Sequence, residues 1–141
     1  IHIACSAKKP SFDVIQLLLD ADDADKHTLN KADAHQRLPL HLALCHRADK
    51  HVVKALLSYQ KEAQIHYEDK ERSYPLHYAC KFGCSAEVIE LLLETEEEAH
   101  SYESDGNLAS ITKRDIFGHR PLYYAVRDGL SPDVVNALLQ G

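Results

Sequence analysis

The sequence predicts an all-α fold, a solenoid of paired antiparallel helices with projecting hairpin-like loops, and three observations carry that expectation. A short unit recurs as Pro39-Leu40-His41-Leu42-Ala43, Pro75-Leu76-His77-Tyr78-Ala79 and Pro121-Leu122-Tyr123-Tyr124-Ala125, and Ile1-His2-Ile3-Ala4 repeats it without its beginning. Nine or ten residues after each alanine begins an apolar block: Val14 to Leu19, Val52 to Leu57, Val88 to Leu93 and Val134 to Leu139. Upstream of the three complete units, Asp33, Asp69 and Asp115 precede the proline by six residues, with Leu29, Ile65 and Ile111 four residues earlier still. Self-similarity of this kind marks stacked units that share one core.

Each element has its own local reason. Pro39, Pro75 and Pro121 suit the first turn of the first helix, where a missing N–H leaves no bond unmade. The second blocks are apolar at i, i+1, i+3 and i+4, a broad stripe of helical period that fits a helix packed between neighbours. Before them stand Ser11, Asp49, Ser85 and Ser131 as caps, and Asp13, Glu87 and Asp133 place negative charge near the positive end of the helix dipole. Gly83 and Gly129 fall between the two helices, where a tight turn calls for positive φ. The aspartate-led stretch before each proline predicts an extended finger projecting from the stack.

Composition bounds the function. The 141 residues, 45% hydrophobic, suffice for a single domain over 1–141. A net charge of -6, with Glu94, Glu96, Glu97 and Glu98 in one run, argues against nucleic acid, which needs clustered cations. That run is expected to be a solvated helix end. No apolar stretch approaches the roughly 18 to 20 residues of a membrane span, so no direct membrane insertion is expected. Four cysteines without dense spacing read as reduced thiols of an intracellular protein, in the cytoplasm or another reducing compartment.

Metal and catalytic chemistry are not expected. Cys80 and Cys84 lie four apart with no second pair, and Cys45-His46 has no partner pair at ligand spacing. Cys5 and Cys80 occupy equivalent core positions. His2, His41 and His77 are expected to donate to nearby backbone. With no phosphate loop, nucleophile elbow or paired carboxylates, the segment is read as no enzyme and as holding no cofactor.

Proline-leucine-histidine-x-alanine, a leucine-rich second helix and an aspartate-led turn together resemble the ankyrin repeat over essentially the whole chain. The spacings His2 to His41, His41 to His77 and His77 to Tyr123 are 39, 36 and 46 residues, against about 33 for that family. The expected repeats are 1–32, truncated at its start, 33–68, 69–114 with an inserted polar loop at about 101–110, and 115–141, truncated at its end. The family's threonine before the proline is Leu38, Tyr74 or Arg120 here, and its turn glycine survives only as Gly118. The first two fingers are therefore expected to adopt other turn types.

The resemblance implies a protein–protein interaction module whose loop tips and concave first-helix face meet the partner, with the second helices as the back. Carried over by position, the candidate partner-binding residues are His35 and Arg37, Lys70 and Glu71, Phe117 and His119 on the tips, and His46, Lys81, Phe82, Arg127 and Asp128 on the first helices. Phe82 and Phe117 stand as a candidate anchor pair ringed by Lys81, Arg127, His46 and His119; the alternative packs Phe82 onto a neighbouring unit and Phe117 against the finger base. Two other classes remain: a permanent structural subunit of a large assembly, or a regulatory appendage of an enzyme or channel. The chain has no methionine, begins inside a motif with Ile1, and lacks polar capping units, so flanking repeats or domains are expected.

Overall fold

A computed structural model of the chain describes residues 1–21, 29–58, 61–100 and 110–140. Among these, the α-helices are α1 (His2–Cys5), α2 (Phe12–Ala21), α3 (Pro39–Cys45), α4 (Lys50–Leu57), α5 (Lys61–Ile65), α6 (Pro75–Lys81), α7 (Ala86–His100), α8 (Pro121–Arg127) and α9 (Pro132–Gln140), with a 3-10 turn at Ser110–Thr112. The first helices of the units, proline-led in α3, α6 and α8, pack in one inner row, α1 on α3, α3 on α6 and α6 on α8; the leucine-rich helices pack in a second, outer row, α2 on α4, α4 on α7 and α7 on α9. The core lies between the rows. Leu40, Leu44, Leu56, Leu76, Ile89 and Leu92 are completely buried there, each burial contributing roughly 1.5 to 3 kcal/mol before the entropy of ordering is set against it.

The turn from inner to outer helix is built the same way three times. The amides of Ala48, Cys84 and Leu130 donate back to the carbonyls of Ala43, Ala79 and Ala125 at 2.9 Å, and those of Arg47, Gly83 and Gly129 to Leu44, Cys80 and Val126. This pattern places one left-handed residue after the helix. Gly83 and Gly129 take it at φ 68° and 66°, and Arg47 takes it at φ 55° despite its side chain. The Asp49 carboxylate then caps α4 by accepting the Val52 amide at 3.0 Å.

The residues that exceed the family's usual length include helix as well as linker. Leu92, Thr95, Glu96 and Ala99 continue one buried stripe past the apolar block, so α7 reaches His100 and its extension packs on α5. This corrects the solvated acidic run: Glu96 is only 2% exposed and its carboxylate accepts the Ser110 hydroxyl. Glu94, Glu97 and Glu98 of the same run are exposed. Burial pushes the Glu96 carboxyl up to about 7, although the Ser110 hydrogen bonds pull the other way. The inserted loop expected at about 101–110 lies outside the described residues except for Ser110, which is buried and opens the 3-10 turn.

Candidate partner-binding face

Three aspartates build the fingers. The Asp33 carboxylate accepts the amides of His35 and Arg37, Asp69 those of Glu71 and Ser73, and Asp115 those of Phe117 and His119, all at 2.8 to 3.0 Å. A backbone bond from each aspartate amide to the carbonyl four residues on closes the loop. The third turn residue is left-handed in every finger, Gln36 and Arg72 at φ 58° and Gly118 at φ 81°. The expectation that the first two fingers use other turn types is thereby corrected. The carboxylate satisfies the amides that the tight turn exposes, and that network holds Gln36 and Arg72 where glycine would be the unstrained choice.

The second oxygen of each aspartate is tied to the stack. Tyr78 donates its hydroxyl to Asp69 at 2.7 Å and Tyr124 donates to Asp115 at 2.5 Å. In the first finger the equivalent inner-helix residue is Leu42, and the Arg37 guanidinium takes the place of the hydroxyl, with Nε at 2.9 Å and Nη2 at 2.8 Å from Asp33. Burial raises the Asp33 carboxyl, but the Arg37 and His35 amides and the guanidinium outweigh it and hold the group at about 2. Asp115 is likewise lowered, its burial outweighed by the Tyr124 hydroxyl and the two amides.

Fingers join one another directly. The Lys70 amide donates to the His35 carbonyl at 3.1 Å, and the Ile116 amide to the Glu71 carbonyl at 2.8 Å. The repeat histidines add a second tie. His77 Nδ1 accepts the Tyr74 amide at 3.2 Å, which makes Nε2 the protonated nitrogen, and Nε2 donates to the His119 carbonyl of the next finger at 3.2 Å. Burial holds the His77 pKa low, so the ring is neutral at pH 7. His41 Nδ1 accepts from the Leu38 amide in the same way. Both rings accept at Nδ1 and so replace the missing threonine in fixing the entry to the helix; of the expected donations to backbone, His77 makes one, while the Nε2 atoms of His2 and His41 are buried without a hydrogen-bond partner among the described residues.

The expected site residues separate into three groups. Phe117 and His119 form an aromatic ladder with Tyr123: the His119 ring stacks on Tyr123 at 3.8 Å and 7°, and Phe117 lies 6.5 Å from His119. Arg127 continues it, 5.9 Å from the Tyr123 ring and 4.9 Å from Tyr124, while pairing with Asp128 at 2.6 Å. Lys81 lies 5.7 Å from the Tyr124 ring and 4.0 Å from Glu71. His35 and Lys70 are exposed at neighbouring tips. Arg37, by contrast, is committed to Asp33 and serves as a finger clamp. His46 is half-buried as the cap of α3.

The two candidate anchors differ. Phe117 is 61% exposed. Phe82 is half-buried against the core, 5.6 Å from the Tyr78 ring, and its carbonyl accepts the Arg47 guanidinium at 2.6 Å. Its outward placement is corrected: as the cap of α6 it leads into the left-handed Gly83, and the turn lays the ring on the stack. Tyr123 and Tyr124 were visible only as parts of the repeated motif. The signal that could have marked them is a tyrosine in the unit paired with a finger that lacks the Arg37 equivalent.

Beside α8 opens a groove of about 610 Å³ whose lining includes Leu122, Tyr123, Val126 and the three arginines Arg114, Arg120 and Arg127. All four cysteines are free thiols, Cys5, Cys80 and Cys84 buried and Cys45 partly so; burial raises the Cys5 and Cys84 thiols to about 12. No group of three or more His, Cys, Asp or Glu side chains that could hold a metal ion is found among the described residues. None of the described helices is long and apolar enough to cross a membrane. A family model described as ankyrin repeats (3 copies) matches residues 47–141, more than half of the chain. No curated protein matches it.

Proposed function

The chain belongs to the ankyrin-repeat family, and from that premise we propose that it captures another protein on the face made by its finger tips and the C-terminal ends of α3, α6 and α8. Ankyrin repeats are generally protein–protein interaction modules. The observation that carries the reading is the aromatic ladder in which exposed Phe117 on the finger and exposed Tyr123 on α8 flank the half-buried His119, beside a finger backbone held by Asp115 and Tyr124. A rigid, exposed aromatic flanked by arginine loses little entropy on binding, which is the character of an interface anchor. On this reading the binding residues are Phe117, His119, Lys81, Arg127, Lys70, Glu71, His35 and Asp128, with Phe82, His46 and Arg37 in support; the segment performs no catalysis and binds no cofactor. The buried free thiols support a reducing compartment.

Affinity capture followed by mass spectrometry, with Phe117→Ala and Arg127→Ala compared against Glu90→Ala on the outer helix α7, tests this. The front variants should lose the partner at least about tenfold with unchanged circular dichroism. Equal loss with Glu90→Ala, or unchanged capture by the front variants, sinks the reading.

A further inference from the structure

Charge is divided between the two sides of the molecule. The outer helices and their caps carry the exposed acids Asp13, Asp20, Glu87, Glu90, Glu94 and Asp133, with Lys50 and Lys54 of α4 as cations among them. The fingers and inner-helix ends carry Lys31, Lys70, Arg72, Lys81, Arg120 and Arg127. A net charge of -6 therefore conceals a basic front and an acidic back.

The front's own carboxylates do not cancel this. Asp33, Asp69 and Asp115 are consumed by finger amides and by Arg37, Tyr78 and Tyr124. The exposed acids there are Glu68, Glu71 and Asp128, and each is engaged: Glu68 with the Tyr74 hydroxyl, Glu71 with Lys81, Asp128 with Arg127. Lys70, Arg72 and Arg120, by contrast, have no carboxylate within ion-pair distance among the described residues. Turn formation and ion pairing thus occupy the carboxylates of this face, while Lys70, Arg72 and Arg120 are left without an ion-pair partner among the described residues.

We propose that the finger face selects an acidic protein segment, one whose carboxylates meet Lys70, Arg72 and Arg127 and whose apolar side chains meet Phe117 and Tyr123. This rests on the proposed binding face and deepens it by naming the partner's chemistry. The acidic back repels such a segment while the front attracts it, so encounter is steered to one side and quickens at low salt. Arg127 lies against the Tyr124 ring and is paired with Asp128 through Nε and Nη2, which holds the guanidinium in place and leaves its remaining N–H donors for a partner carboxylate. Nucleic acid fits less well, because the cations without an ion-pair partner among the described residues, Lys70, Arg72 and Arg120, are few for the run of phosphates that a backbone presents.

The test uses fluorescence anisotropy with three labelled probes of equal length: a Glu-rich peptide with interspersed Leu, a Lys-rich peptide with the same Leu spacing, and a single-stranded RNA. The acidic peptide should bind, and its affinity should fall about tenfold or more between 50 and 300 mM salt. Lys70→Glu with Arg127→Glu should abolish binding; Glu90→Lys with Glu94→Lys on α7 should not weaken it. Preference for the Lys-rich peptide or the RNA overturns the proposal, as does equal loss with the outer-helix pair or no binding of the acidic peptide. A display library selected on the whole chain separates the two levels. Peptides that need Lys70 and Phe117 but lack acids would overturn the acidic partner and keep the face; peptides indifferent to both residues would overturn the face itself.

Discussion

Asp33, Asp69 and Asp115 occupy the same place in three fingers, and each needs a partner for its second oxygen. Tyr78 and Tyr124 supply it from the inner helix; where that residue is Leu42, Arg37 supplies it from the finger. The two solutions should be interchangeable. Arg37→Ala should cost roughly 1 kcal/mol, since the pair is partly exposed and a charged hydrogen bond nets little more there. In a Leu42→Tyr background the loss should shrink to a few tenths, because the new hydroxyl takes over the oxygen. A double-mutant cycle by urea denaturation checks this, and strictly additive losses would refute the exchange. The aspartates themselves were legible by spacing. The pairing of Leu42 with Arg37 was not, because the two positions belong to different elements that meet only once the finger folds back on α3.

At the scale of the element, the paired helices were legible because Pro, the apolar stripe and the turn glycine agree about each of them. The α7 extension was not, because its glutamates read as solvent-facing although Leu92, Thr95, Glu96 and Ala99 keep the helical interval. Its cover, α5, is five residues long and too short to show a period. Glu96 consequently carries a pH signature. Its folded pKa of about 7 lies above its unfolded value, so the folded state holds the extra proton between about 4.3 and 7. Its contribution is therefore fully present below that window and is lost as pH rises through 7. Glu96→Gln, which never ionises, should be indistinguishable from wild type near pH 4.5 and more stable by roughly 3 kcal/mol at pH 8. Thermal melts across that range check it; a gain independent of pH would contradict the burial of Glu96. His41 works in the opposite sense, since burial lowers it to about 4 and its contribution is lost as pH falls from 6.5 through that value.

For the whole molecule, the order of helices was legible from the repeat, while the side-to-side division of charge was not. Net charge adds over the chain, whereas binding depends on which charges share a face and which are spent on turns. The same reasoning explains why Phe82 and Phe117 looked equivalent in sequence: both fall at positions that the repeat turns outward, and only the packing of Phe82 on Tyr78 separates them. The central claim is that one face, fingers and inner-helix ends, receives a protein partner. Amide hydrogen exchange on the chain with and without a bound peptide from the display selection tests it most directly. Protection confined to residues 33–37, 69–73 and 115–120 and the ends of α6 and α8 is the result expected; protection centred on α2, α4, α7 or α9 would contradict it.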